Sequence, residues 1–154
     1  MSIEPLEMSF SVSVPLRRAF EAWTEEIDRW WPSSHSQSAD SGLTVVLERR
    51  EGGRIFERTP SGVEHDWGVV TVWEPPDRLG YTWHLRRSSD EATDVLLTFA
   101  DAGDGTTRIG VHHSSWERLG ADAREWRDRN TAGWDGLIPH FTAYVNQPTE
   151  GRST

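Results

Sequence analysis

The chain has 154 residues, no cysteine, and a formal net charge of −9, and its sixteen basic residues are all arginine. That length suits one ordinary domain with its own core, while the missing cysteine and lysine exclude disulfides, a thiol nucleophile and lysine Schiff-base chemistry. The acidic balance works against nucleic acid or an anionic membrane as partner, and the absence of a long apolar run or a signal-peptide pattern points to a cytoplasmic protein.

Residues 7–14 alternate strictly, so Met8, Phe10, Val12 and Val14 share one face of a strand. Pro15 ends it and suits the first turn of a helix, on which Leu16, Ala19, Phe20 and Trp23 recur at helical spacing. Ile27, Trp30 and Trp31 predict a second short helix stopped by Pro32, and residues 33–42 read as a mobile polar loop. Strands are then predicted over 43–48 and 54–58, flanking a turn at Glu51-Gly52-Gly53. Two more hairpins follow, 67–73 with 79–85 around Glu74-Pro75-Pro76-Asp77, and 94–100 with 106–113 around residues 101–105. Trp126, Asn130, Gly133, Trp134, Leu137, Phe141 and Tyr144 fall on one stripe of a final helix, in which Pro139 predicts a kink or a boundary. Residues 1–146 thus read as one domain and 147–154 as a flexible tail.

This order predicts an α+β fold: a curved antiparallel sheet of about seven strands gripping a long C-terminal helix, with two short helices after the first strand. The nine tryptophans are unusual in a chain only 35% apolar. Each can bury on the order of 200 Å², so a few build a core and the others are free to line a cavity between sheet and helix. Period two places Tyr81, Trp83 and Leu85 with Leu79 on one face, Val95 with Leu97 and Phe99, and Ile109 with Val111 and His113. Val70 and Val72 form the matching set on their strand, which puts Trp67 and Trp73 on the opposite side. An apolar patch there would hint at a homodimer.

The matching stretches span nearly the whole chain in order. They run from Val14-Pro15 and Ala19-Phe20-Glu21-Ala22-Trp23 through Trp30-Trp31-Pro32 and His35 to Glu51-Gly52-Gly53-Arg54. The densest run is Asp66-Trp67-Gly68, Trp73-Glu74-Pro75-Pro76, Arg78-Leu79 and Trp83, and Gly105-Thr106, Arg108, His113 and Gly133-Trp134 follow. In these the chain resembles the START-like, helix-grip superfamily, specifically the branch shared with activators of heat shock protein 90 ATPase. The resemblance implies a helix-grip fold, a cavity between sheet and C-terminal helix, and a lid where the second short helix meets the polar loop. It says little about activity, because this superfamily hosts carriers, cyclases, hydrolases, receptors and chaperone regulators.

The expected cavity residues are Trp30, Trp31, Arg54, Val70, Tyr81, Trp83, Leu97, Val111, His113, Trp134, Leu137 and Phe141. Trp30 and Trp31 form either a gate that stacks on a planar ligand or ordinary core. Trp83 and Trp134 either line the pocket or pack the core. His113 is the best candidate for acid–base work, since histidine titrates near neutral pH, or else it hydrogen-bonds the cavity wall. Arg54, among Glu48, Glu57 and Arg58, either orients a ligand carboxylate or forms surface ion pairs. No metal-ligand spacing, nucleophile elbow or phosphate loop occurs, so no cofactor is expected. The leading expectation is a non-catalytic binding module for a small apolar or aromatic molecule. A cyclase-, aromatase- or hydrolase-type enzyme using the same cavity is the alternative, and a chaperone ATPase-activating interaction is the third.

Overall fold

The computed structural model describes residues 3–85 and 87–146; the expected tail at 147–154 lies outside the described residues. Seven strands, β1 (Leu6–Val12), β2 (Thr44–Leu47), β3 (Arg54–Arg58), β4 (Glu64–Glu74), β5 (Arg78–Trp83), β6 (Thr93–Gly103) and β7 (Thr106–Ser114), form one sheet in the order β1-β7-β6-β5-β4-β3-β2. Every pair is antiparallel. Helices α1 (Leu16–Thr24) and α2 (Ile27–Trp30) follow β1, and the sheet curls around α3 (Ala123–Val145). The fold is the expected α+β helix grip.

Alternation along the strands builds the core in rows across the sheet. Val70, Tyr81, Val95, His113 and Leu6 are successive partners in one row, and Trp73, Leu79, Leu97, Val111 and Met8 in the next. Helix α1 buries Ala19, Phe20, Ala22 and Trp23 against this surface, and α3 adds Trp134, Leu137, Phe141 and Val145. The indole of Trp30 donates to the carbonyl of Ala22 (2.8 Å), one of the end carbonyls that α1 leaves without a helical partner.

Three expectations are corrected. Trp67 and Trp73 do not face away from the interior, because β4 carries two bulges. Trp67 is skipped between Ile55–Gly68 and Phe56–Asp66, and Thr71 between Val70–Tyr81 and Val72–Gly80. Each bulge adds a residue and reverses the phase, so Trp67, Val70 and Trp73 all turn inward at spacings of three. Trp67 is fully buried and Trp73 packs on Phe20 at 5.3 Å between ring centres, so neither supplies an exposed patch for a dimer. Gly68 belongs to the first bulge; a Cβ there would collide with the carbonyl of Thr82 on β5.

Pro139 does not bound the last helix, which continues through it to Val145, about 34 Å at 1.5 Å per residue. The 33–42 segment, expected to be a mobile loop, begins with a 3-10 turn at Ser33–His35 and is tied down by Glu57. That carboxylate is fully buried and accepts from the amides of Gln37 (2.6 Å) and Ser38 (2.9 Å) and from the indole of Trp67 (2.7 Å). Burial opposes its ionisation, but the Ser38 side chain together with these donors outweighs burial and holds its pKa below the ordinary value.

Candidate functional site: a tryptophan-walled cleft

A cleft of about 190 Å³ opens between the Trp83 end of the sheet, α3 and the 33–35 turn. Its apolar walls are Trp31, Tyr81, Trp83, Trp116, Trp126 and Trp134, with Leu85, Leu119 and Leu137. Its polar groups are Ser34, His35, His84, Arg87, Glu91, Thr93, Arg129 and Asn130.

The walls are set by packing that runs continuously into the core. Trp134 stacks on Trp23 (6.1 Å between ring centres), Trp23 packs on Trp30 (4.7 Å), Trp30 on Trp31 (5.5 Å), and Trp31 on Trp67 (5.0 Å) and Trp83 (5.9 Å). Rings in such mutual contact hold one another's rotamers, so the cleft face is built on rigid backing. The indole of Trp31 donates to the carbonyl of His35 (2.9 Å), joining the 33–35 turn to the same wall. Opposite, α3 presents Gly136, where a Cβ would stand 3.3 Å from Nε2 of His35. A glycine there lets turn and helix approach closely.

His113 lies behind the wall. It is fully buried, with Nδ1 accepting from the indole of Trp134 (3.1 Å) and Nε2 facing Oγ1 of Thr93 (2.7 Å). An indole N–H can only donate, so Nδ1 is the unprotonated nitrogen and Nε2–H donates to Thr93. Thr93 passes its own proton to the carbonyl of Trp83 (3.1 Å). Protonating Nδ1 would set two donors against each other in a dry site. Burial, aided by repulsion from His112, pushes the His113 pKa down to about 3. The ring is therefore neutral near pH 7, with both nitrogens committed, which removes the basis for expecting it to exchange protons with an occupant.

Of the expected residues, the fold brings Trp31, Tyr81, Trp83, Trp134 and Leu137 together on the cleft. Val70, Leu97, Val111, Trp30 and Phe141 are packed in the core instead. Helix α1 covers β6 and β7 there, and Phe141 fills the space against Trp23 and Trp30 at 4.8 and 4.9 Å. Arg54 lies on the outer face of the sheet, bonded to Asp66 (2.7 Å) and Glu64 (3.1 Å) and lying over Phe56. Its partners are protein carboxylates, because β3 alternates and Arg54 takes the solvent side.

Sequence reasoning left Trp126, Asn130 and Gly133 on the helical stripe without assigning them to the pocket, although the stripe was signal enough. Trp116, Leu119, His84, Arg87 and Glu91 were missed. Glu91, Trp116 and Leu119 come from 3-10 turns at Ser89–Glu91 and Trp116–Asp122 and Arg87 from the connection before the first, where no period reveals which way a side chain points. His84 falls in the expected 79–85 strand, which in the structure ends at Trp83.

Comparison with known proteins agrees with this architecture. The family described as activator of Hsp90 ATPase homolog 1-like protein matches residues 13–146. No curated protein matches by sequence. Among solved structures, an anthrahydroquino-γ-pyrone synthase is 30% identical, over 80% of this chain and 84% of that one, with a TM-score of 0.58. The self-sacrificing resistance protein CalC from Micromonospora echinospora is 26% identical over 93% and 94%, with a TM-score of 0.71. An HSP90 activator from Plasmodium falciparum, 17% identical over 95% and 99% at a TM-score of 0.69, shares the fold.

Proposed function

The chain belongs to the activator of Hsp90 ATPase homolog 1-like family, and on that premise we propose that it binds a small, flat, largely apolar molecule in the tryptophan-walled cleft. The observation that carries this reading is the wall itself: Trp31, Trp83, Trp116, Trp126 and Trp134, with Tyr81, converge on one opening. Aromatic rings offer large apolar area with few rotamers to freeze, which favours binding of planar ligands. At about 190 Å³ the cleft falls below the roughly 300–1,000 Å³ of drug-sized sites, so the occupant is a compact ring system rather than a long chain. Titrating the chain with naphthalene-sized aromatics while following tryptophan emission tests this. Saturable quenching supports the reading, and its absence in folded protein contradicts it.

A second reading, ring-forming chemistry on such a ligand, draws on the 30% identity to an anthrahydroquino-γ-pyrone synthase. The titratable groups available to it at the cleft are His35, His84 and Glu91 rather than His113. Turnover that survives in His113→Gln but fails in His84→Ala would support that assignment. A chaperone-activating role draws on the family description alone; stimulation of a chaperone ATPase by the purified chain would support it.

A further inference from the structure

The cleft reading above fixes shape and apolarity; Arg87 adds chemistry at its mouth. Its side chain is only 13% exposed, with the guanidinium 4.7 Å from the ring centre of Trp126. Glu91 (2.6 Å) and Asp122 (3.2 Å) both bond the same terminal nitrogen, Nη2. The Nε–H is buried and has no hydrogen-bond partner among the described residues. Trp23 Nε1 is the other such donor, but Trp23 is enclosed in the core, whereas Arg87 lines the cleft. A buried guanidinium N–H without an acceptor is costly, and an occupant presenting one would relieve that cost.

The charge of the acceptor follows from the neighbours. Arg87 already meets two carboxylates, and the second arginine of the mouth, Arg129, is paired with Glu125 at 3.0 Å while lying 5.1 Å from the centre of Trp126. An anionic ligand would therefore have to compete with Glu91, Asp122 and Glu125 for both guanidinium groups. A cationic ligand would find the Trp126 ring already flanked by two guanidinium groups. A neutral acceptor meets neither penalty.

We propose that the cleft selects a compact, neutral aromatic carbonyl compound, whose ring packs on the tryptophan wall and whose carbonyl oxygen accepts from Nε–H of Arg87.

This rests on the cleft reading, and a matched probe set separates the two. Naphthalene, 2-acetonaphthone, 2-naphthoate and (2-naphthylmethyl)trimethylammonium share one ring and differ in the group presented. Binding is followed by the indole N–H resonances at neutral pH. The expected result is that 2-acetonaphthone binds about tenfold tighter than naphthalene or more, the gain of one hydrogen bond from a charged donor, and tighter than either ion. In Arg87→Met the ratio of 2-acetonaphthone affinity to naphthalene affinity falls to about one. Arg87→Lys, which keeps a cation for Glu91 but lacks the Nε–H, loses the preference too, and provides the test if the methionine variant does not fold. Equal binding of naphthalene and 2-acetonaphthone, tightest binding of 2-naphthoate or the ammonium, or a carbonyl preference that persists in the Arg87 variants overturns the acceptor site and leaves the cleft reading standing. If no probe shifts the cleft indoles, the cleft reading fails and the acceptor site with it.

Discussion

The indole of Trp134 donates to Nδ1 of His113 at 3.1 Å, and this one bond fixes both the tautomer of a buried histidine and the position of a cleft wall. It ties β7 to α3 beneath the cleft, with Thr93 on β6 completing the network. Burial holds His113, the most conspicuous titratable residue on the inner face of β7, neutral, and this bond occupies its Nδ1.

Acid should therefore destabilise the fold well before ordinary carboxylates protonate. The His113 pKa is about 3 in the folded chain against an ordinary 6.5, so between those values the unfolded chain binds the extra proton. Stability is then fully present above pH 6.5 and falls as pH drops through that window, by up to about 1.4 kcal/mol per pH unit. Thermal unfolding from pH 7.5 to 4.5 measures it. In His113→Phe the slope below pH 6.5 should flatten, while stability at pH 7.5 drops by roughly 1–3 kcal/mol for the stranded Trp134 indole N–H. An unchanged slope would show that another group controls it.

Trp134→Phe removes the donor but leaves a ring of similar shape. His113 should then titrate at a higher pH than in the parent, because its Nδ1 no longer faces an N–H. Imidazole carbon resonances followed against pH report this directly, and a pKa unmoved from about 3 would mean that burial alone sets it.

Glu57→Gln tests the tie on the 33–42 segment. An amide accepts only through its oxygen, and its NH2 group would face either the Ser38 amide or the Gln37 amide and the Trp67 indole, so at least one of the three bonds is lost. A destabilisation of about 1–3 kcal/mol is expected. Hydrogen exchange at Gln37 and Ser38 should quicken more than exchange in β6; uniform quickening would argue against a local tie.

Gly136→Ala sets two effects against each other. Alanine favours the helix by about 0.8–1.0 kcal/mol, whereas its methyl would stand 3.3 Å from the end of the His35 ring. A side-chain tip can give by a few tenths of an ångström, so the helix term should win and the unfolding midpoint rise. A lowered midpoint would show that the 33–35 turn cannot yield.

Much of the fold was legible because two periods carried it. Alternation over β1, β5, β6 and β7 and the stripe on α3 identify core faces without further help, and the hairpin turns lie where glycine and proline require. What failed did so for definite reasons. Trp67 and Trp73 were assigned outward because a bulge changes phase without leaving a mark that period two can detect. Val70, Leu97 and Val111 face the interior as expected, yet facing inward does not distinguish core from cavity; that depends on which rows α1 and Phe141 cover. Arg87 and Trp116 reach the cleft from segments with no period at all.

The nine tryptophans also make the central claim directly measurable, since each indole N–H gives its own signal in a nitrogen–proton correlation spectrum. On titration with 2-acetonaphthone, the signals of Trp31, Trp83, Trp126 and Trp134 should shift together and saturate with one dissociation constant, while that of Trp73, packed on Phe20 away from the cleft, stays in place. Shifts confined to Trp73, or spread evenly over all nine without saturation, would contradict a cleft built to hold a ligand.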